Sequence, residues 1–189
     1  FTYASAEYCV SGSDPTPTIS GTTGGTFSST AGLSINASTG EIDLSASTAG
    51  TYTVSYLTSS NTCAVTGTFD VTITEDEDGT FTYASTEYCK SGSNPTPTIT
   101  GTTGGTFSST AGLSINTSTG EINIAASTAG TYTVSYVTSS NLCAVTGTFD
   151  VTITDDEDGT FTYASAEYCV SGSDPTPTIS GTTGGTFSS

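Results

Sequence analysis

The chain has 189 residues with one basic side chain, Lys90, against 18 acids, for a formal net charge of −17. Nothing in it can neutralise phosphate, so nucleic-acid binding and attraction to an anionic membrane surface are both excluded as functions. His, Arg, Gln, Trp and Met are absent. That removes Ser–His and Cys–His nucleophile pairs and imidazole metal ligands. No residue is assigned a catalytic role, and the chain is read as a non-enzyme.

An 80-residue period dominates the sequence. Phe1-Thr2-Tyr3-Ala4-Ser5 returns at Phe81 and at Phe161, residues 1–80 and 81–160 differ at 11 positions, and 161–189 repeat 1–29 unchanged. Such a period marks an array of like modules. The expected organisation is module 1 over 1–75, an acidic linker over 76–80, module 2 over 81–155, a second linker over 156–160, and the first part of module 3 over 161–189. The missing initiator Met and the break within a third repeat suggest a window from a longer chain. No apolar run approaches the roughly 20 residues of a membrane-spanning helix.

Within a module the apolar residues recur every second position. In chain order, Asp14-Pro15-Thr16-Pro17 is a bend or edge segment, and Gly24-Gly25 precedes a strand around Phe27. Asn36-Ala37-Ser38-Thr39-Gly40 is a short hairpin turn joining Leu33/Ile35 to a strand of Ile42, Leu44 and Ala46. Tyr52, Val54 and Tyr56 alternate with Thr51, Thr53 and Ser55, and Phe69, Val71 and Ile73 alternate with Asp70, Thr72 and Thr74. Each run reads as a strand with one face buried and one wet. About seven short strands per module predict an all-β fold, a tandem series of antiparallel β-sandwiches.

Five cysteines follow the period: Cys9, Cys63, Cys89, Cys143 and Cys169. The same spacing separates the two cysteines of each complete repeat, which favours Cys9–Cys63 and Cys89–Cys143, with the partner of Cys169 beyond the window. The rival pairing is Cys63–Cys89, closer in sequence and across a module boundary. A bridge closing about 55 residues would stabilise a thin-cored module by roughly 4 kcal/mol in the chain-entropy model. Regular cysteine pairs in a Ser/Thr-rich array point to an oxidising, extracellular setting. Other covalent staples fail on composition: a Lys–Asn isopeptide needs a Lys in each repeat, and a Thr–Gln ester needs Gln.

The junctions carry Glu75-Asp76-Glu77-Asp78-Gly79-Thr80 and Asp155-Asp156-Glu157-Asp158-Gly159-Thr160. Two readings stand. Hard carboxylate oxygens between modules suit Ca²⁺, which takes 6–8 oxygen ligands, with Glu7 or Asp14 as further donors. Alternatively the acids are a solvated linker held extended by like charge. Asn36-Ala37-Ser38 and Asn116-Thr117-Ser118 fit the N-glycosylation pattern or are plain hairpin residues. The Thr rows (Thr51/Thr53, Thr72/Thr74) are a flat binding face or simply the wet side of strands.

Ala49-Gly50-Thr51-Tyr52-Thr53-Val54 resembles the approach to strand F of immunoglobulin-like domains, with Tyr52 (and Tyr132) as the tyrosine-corner residue. Val54 departs from antibody domains, which have Cys there, so the bridge must pin a different pair. Gly32-Leu33-Ser34-Ile35-Asn36, Thr39-Gly40-Glu41-Ile42, Tyr8-Cys9, Pro15-Thr16-Pro17-Thr18 and Thr23-Gly24-Gly25-Thr26-Phe27 together resemble the Ig-like and cadherin-like repeats of giant Bacteroidota surface adhesins of the gliding-motility type. The resemblance covers the whole repeat. It implies type IX secretion and display on the cell surface as a stalk or filament whose partners are neighbouring repeats. A multivalent array for a sugar or surface, and a fibre subunit assembling by strand exchange, remain as alternatives.

Overall fold

A computed structural model describes residues 1–60 and 62–188. Module 1 contains β1 (Glu7–Cys9), β2 (Thr26–Ser29), β3 (Ser34–Ile35), β4 (Ile42–Asp43), β5 (Gly50–Leu57) and β6 (Thr66–Thr74). Module 2 contains β7 (Phe81–Thr82), β8 (Glu87–Cys89), β9 (Thr98–Ile99), β10 (Thr106–Ser109), β11 (Gly130–Val137) and β12 (Thr146–Thr154). β13 (Phe161–Thr162) and β14 (Thr178–Ile179) follow. The chain is all-β, and its two complete modules are β-sandwiches in tandem.

One layer of module 1 is the sheet β1-β6-β5-β2, and module 2 repeats it as β8-β12-β11-β10. The long hairpin β5–β6 sets the register, with Tyr52 opposite Val71 and Val54 opposite Phe69. Because side chains alternate across a strand, this pairing gathers the apolar residues on one face. Thr51, Thr53, Thr72 and Asp70 take the other face, where Thr53 Oγ1 donates to Asp70 Oδ1 at 2.7 Å. The facing layer is the β3–β4 hairpin together with a Thr2–Thr18 bridge. Tyr3, Leu33, Ile42 and Leu44 close from that side onto Phe27, Val54, Val71 and Ile73. Module 2 builds the same core from Tyr83, Leu113, Ile122 and Ile124 against Phe107, Val134, Val151 and Ile153.

Two details depart from the sequence expectation. The strand expected over Ile42, Leu44 and Ala46 ends at Asp43, because the Asp43 carboxylate accepts from Ala46 N at 2.9 Å and folds the chain into a turn. Leu44 stays buried, and its N–H donates to Asp14 Oδ1 at 2.9 Å. More consequential is β1. It runs parallel to β6, with Glu7 opposite Thr72 and Cys9 opposite Thr74, where an antiparallel sheet was expected.

Local chemistry fixes the corners. Tyr52 hydroxyl donates to Thr48 O at 2.7 Å, and Tyr132 to Thr128 O at 2.9 Å. Asn36 Oδ1 accepts from Ser38 N at 2.9 Å and Thr39 N at 3.2 Å, so that side chain builds the hairpin turn. Gly40 follows at φ +74°, and a Cβ there would lie 2.6 Å from Pro17 Cγ. Tyr3 hydroxyl donates to Gly40 O across the core; burial, with Tyr8 beside it, pushes the phenol pKa up and keeps it a donor.

Residues 161–188 hold counterparts of β7 and β9 only. Phe161 is 45% exposed where its counterpart Phe81 is 4% exposed. The segment matching β8 forms no strand, since its pairing partner is the counterpart of β12.

Candidate functional site: the junction between modules

The register of β1, against the last three residues of β6, decides where the cysteines go. Cys9 lies beside Thr74, at the end where β6 leaves the sandwich. Cys63 precedes Thr66, at the end where β6 begins. Eight residue steps of strand, roughly 26 Å, separate those two ends. The same holds for Cys89, opposite Thr154, and Cys143, before Thr146. Each module is therefore polar, with one cysteine at its near end and the other at its far end.

The bridge that forms is Cys9–Cys143, with a Cα–Cα distance of 5.5 Å and a sequence separation of 134. That distance lies within the ordinary range for a disulfide. It joins the far end of module 1 to the near end of module 2. The intra-module pairs Cys9–Cys63 and Cys89–Cys143 do not form, because their members sit at opposite ends of one sandwich. The rival Cys63–Cys89 would need to reach across two modules. Cys63, Cys89 and Cys169 are free and exposed, whereas Cys143 is 3% exposed.

The acidic linker is held from both sides. Toward module 1, Ser11 Oγ donates to Asp76 Oδ1 at 2.8 Å. Toward module 2, Glu77 N donates to Cys143 O at 3.1 Å, and Ser140 N donates to Glu77 Oε2 at 2.9 Å. Asp78 N donates to Thr102 Oγ1 at 3.0 Å, while Thr102 N donates to Asp78 O at 2.6 Å. Thr80 donates to Asp78 Oδ1 through its hydroxyl and its N–H, which holds that carboxyl below its ordinary pKa.

Gly79 closes the contact. A Cβ on Gly147 would run into Gly79 O, so two backbones touch where only glycine fits. Gly67 occupies the same place in module 1 and meets nothing nearer than Phe1 at 3.7 Å. We therefore expect Gly147→Ala to destabilise the chain by about 1–3 kcal/mol, with Gly67→Ala close to neutral. Thermal unfolding of the two variants checks this; equal effects would mean the linker does not pack on β12.

The second junction repeats these contacts as far as the sequence reaches. Ser91 donates to Asp156 Oδ1 from its hydroxyl at 2.7 Å and its N–H at 3.0 Å, and these bonds lower that carboxyl's pKa, with a smaller push from Lys90. Thr182 N donates to Asp158 O at 2.6 Å. Lys90 pairs with the exposed Asp155 at 3.5 Å, a contact worth little in water. Glu157 is exposed, whereas its counterpart Glu77 accepts from Ser140 N.

The eight acids expected as calcium ligands do not converge. Among the described residues, the one group of three His, Cys, Asp or Glu ligand atoms within 4.8 Å is Cys9, Asp76 and Cys143. Two of its members are spent in the disulfide. Asp76, Glu77 and Asp78 each turn to a different partner, because consecutive residues of an extended segment face different ways. Nor is the linker free in solvent, since both modules hydrogen-bond to it.

Each module also carries a shallow polar groove, lined in module 1 by Asp14, Ser34, Asn36, Glu41 and Asp43. In module 2, Asn94 and Asn123 replace the two aspartates. Asn94 Oδ1 still accepts from Ile124 N at 3.1 Å, as Asp14 does from Leu44. The structural bond survives the change, while two of the three carboxylates are lost and only Glu121 remains.

The chain matches no protein-family model and no curated protein. Among solved structures it is similar to a SusE-like surface-located polysaccharide-binding protein from the Bacteroides thetaiotaomicron heparin utilisation locus, at 16% identity and a TM-score of 0.36, covering 74% of this chain and 30% of that one. It is also similar to mouse cadherin-23 EC22-24, at 13% identity and a TM-score of 0.36, covering 86% and 66%. Mouse protocadherin-24 EC1-3 follows at 15% identity and a TM-score of 0.31, covering 89% and 68%. The chain thus spans under two thirds of the length of the first two. Likenesses this distant carry no argument about ligand or partner, and the fold rests on the strands and registers above.

Proposed function

We propose that this chain is a length of load-bearing stalk on the outside of a bacterial cell, of the kind its repeats resemble in gliding-type Bacteroidota adhesins. It extends and displays adhesive parts borne elsewhere and catalyses nothing. The observation that carries this reading is the junction: a disulfide from one module to the next, with the linker hydrogen-bonded to both. Such a joint resists bending and extension, which a stalk requires and a loose tether does not. A disulfide of this kind also suits an oxidising, extracellular location.

The alternatives fare less well. An array gripping the same ligand in every module would want the same groove each time, and two carboxylates differ between the grooves. Assembly by strand exchange needs a borrowed strand, yet each four-stranded sheet draws all its strands from one module.

Small-angle X-ray scattering of the oxidised chain, in Ca²⁺ and then in EDTA, tests the reading. We expect the same rod in both, with two modules in line spanning roughly 80 Å. A rod that turns flexible in EDTA would return calcium to the junction. A flexible particle in both would overturn the stalk and favour a tethered binding array.

A further inference from the structure

Cys63 and Cys89 are free, yet each is the repeat counterpart of a bridged residue. Cys63 matches Cys143, and Cys89 matches Cys9. Cys89 also has the geometry of its counterpart, lying opposite Thr154 at the far end of module 2 as Cys9 lies opposite Thr74. A second, independent observation is that the next junction is already formed. Ser91 holds Asp156 as Ser11 holds Asp76, and Thr182 holds Asp158 as Thr102 holds Asp78. A module seated by these bonds brings its own near end against Cys89.

We propose that Cys89 is the site of a second inter-module disulfide, taken up by the near-end cysteine of a repeat completed on the segment 161–189. This goes beyond the stalk reading, which needs only the bridge already seen. In forming the bond, the two thiols lose two protons and two electrons. A disulfide oxidant such as oxidised glutathione takes them up and becomes two thiols.

Bridges of this pattern interleave. From Cys143 the chain runs on to Cys169, passing from the near end of module 2 to the far end of module 3 before the next bridge. Fully extended, that stretch reaches roughly 90 Å, about what two folded modules span. An array bridged at every junction is therefore almost inextensible, because tension never reaches the rest of each module.

The test uses the full chain lengthened at its C-terminal end by a copy of residues 30–80, which completes module 3. The monomer is oxidised with glutathione disulfide, unfolded, and treated with maleimide without reduction. Mass spectrometry should then find two labels, on Cys63 and Cys169, and a peptide joining Cys89 to the added cysteine. Cys89→Ser in the same chain should raise the count to three. Four labels on the unmutated chain, with Cys9–Cys143 intact, would overturn this inference and leave the stalk reading standing. No labels, with both cysteines of each module joined, would overturn both.

Discussion

Pulled by its two ends, the oxidised chain should lengthen far less than a chain of 189 residues allows, and a reducing agent should release a large extra contour length. Tension entering at Phe1 reaches Cys9 and crosses the bridge to Cys143. The residues between them carry none of it. Their sequence separation is 134. At about 3.4 Å per extended residue, reduction frees roughly 450 Å. Bridges within modules would instead release two shorter lengths of roughly 180 Å each. Single-molecule force spectroscopy before and after reduction separates these outcomes, and a trace unchanged by reduction would remove the bridge from the load path.

Cysteine substitutions should divide by position along the array rather than by module. Cys9→Ser and Cys143→Ser each break the bridge and should lower stability equally, by up to about 5 kcal/mol for a loop of this size in the chain-entropy model. Cys63→Ser and Cys89→Ser, at exposed free thiols, should stay within about 0.5 kcal/mol of the parent. Chemical denaturation under non-reducing conditions measures all four. Pairing inside modules would make the four substitutions equally costly, and that result would contradict the structure.

The strands were legible in the sequence because period-2 alternation is a direct imprint of a half-buried sheet. Tyr52, Val54 and Tyr56 pack as the alternation demands, and the turn from Asn36 to Gly40 forms where its residue types favour one. The cysteine pairing was not legible. In a near-identical array, the partner of Cys9 in its own module and the one in the next module look the same, and a regular spacing cannot separate them. Only the register of β1 does so, and three residues, Glu7–Cys9, carry no sequence mark of which end of β6 they pair with. The acids misled for a related reason. Composition shows four adjacent carboxylates at each junction, but not that Ser11, Ser140 and Thr80 stand ready to donate to Asp76, Glu77 and Asp78.

A stalk whose modules are stapled to their neighbours depends on Cys9 joining Cys143. Protease digestion of the oxidised chain without reduction, followed by mass spectrometry, tests that bond most directly. The expected result is a linked pair of peptides, one around Tyr8-Cys9 and one around Leu142-Cys143, that separates on reduction. A peptide joining Cys9 to Cys63 would contradict it, since that bond closes a module on itself and leaves the junction to hydrogen bonds alone.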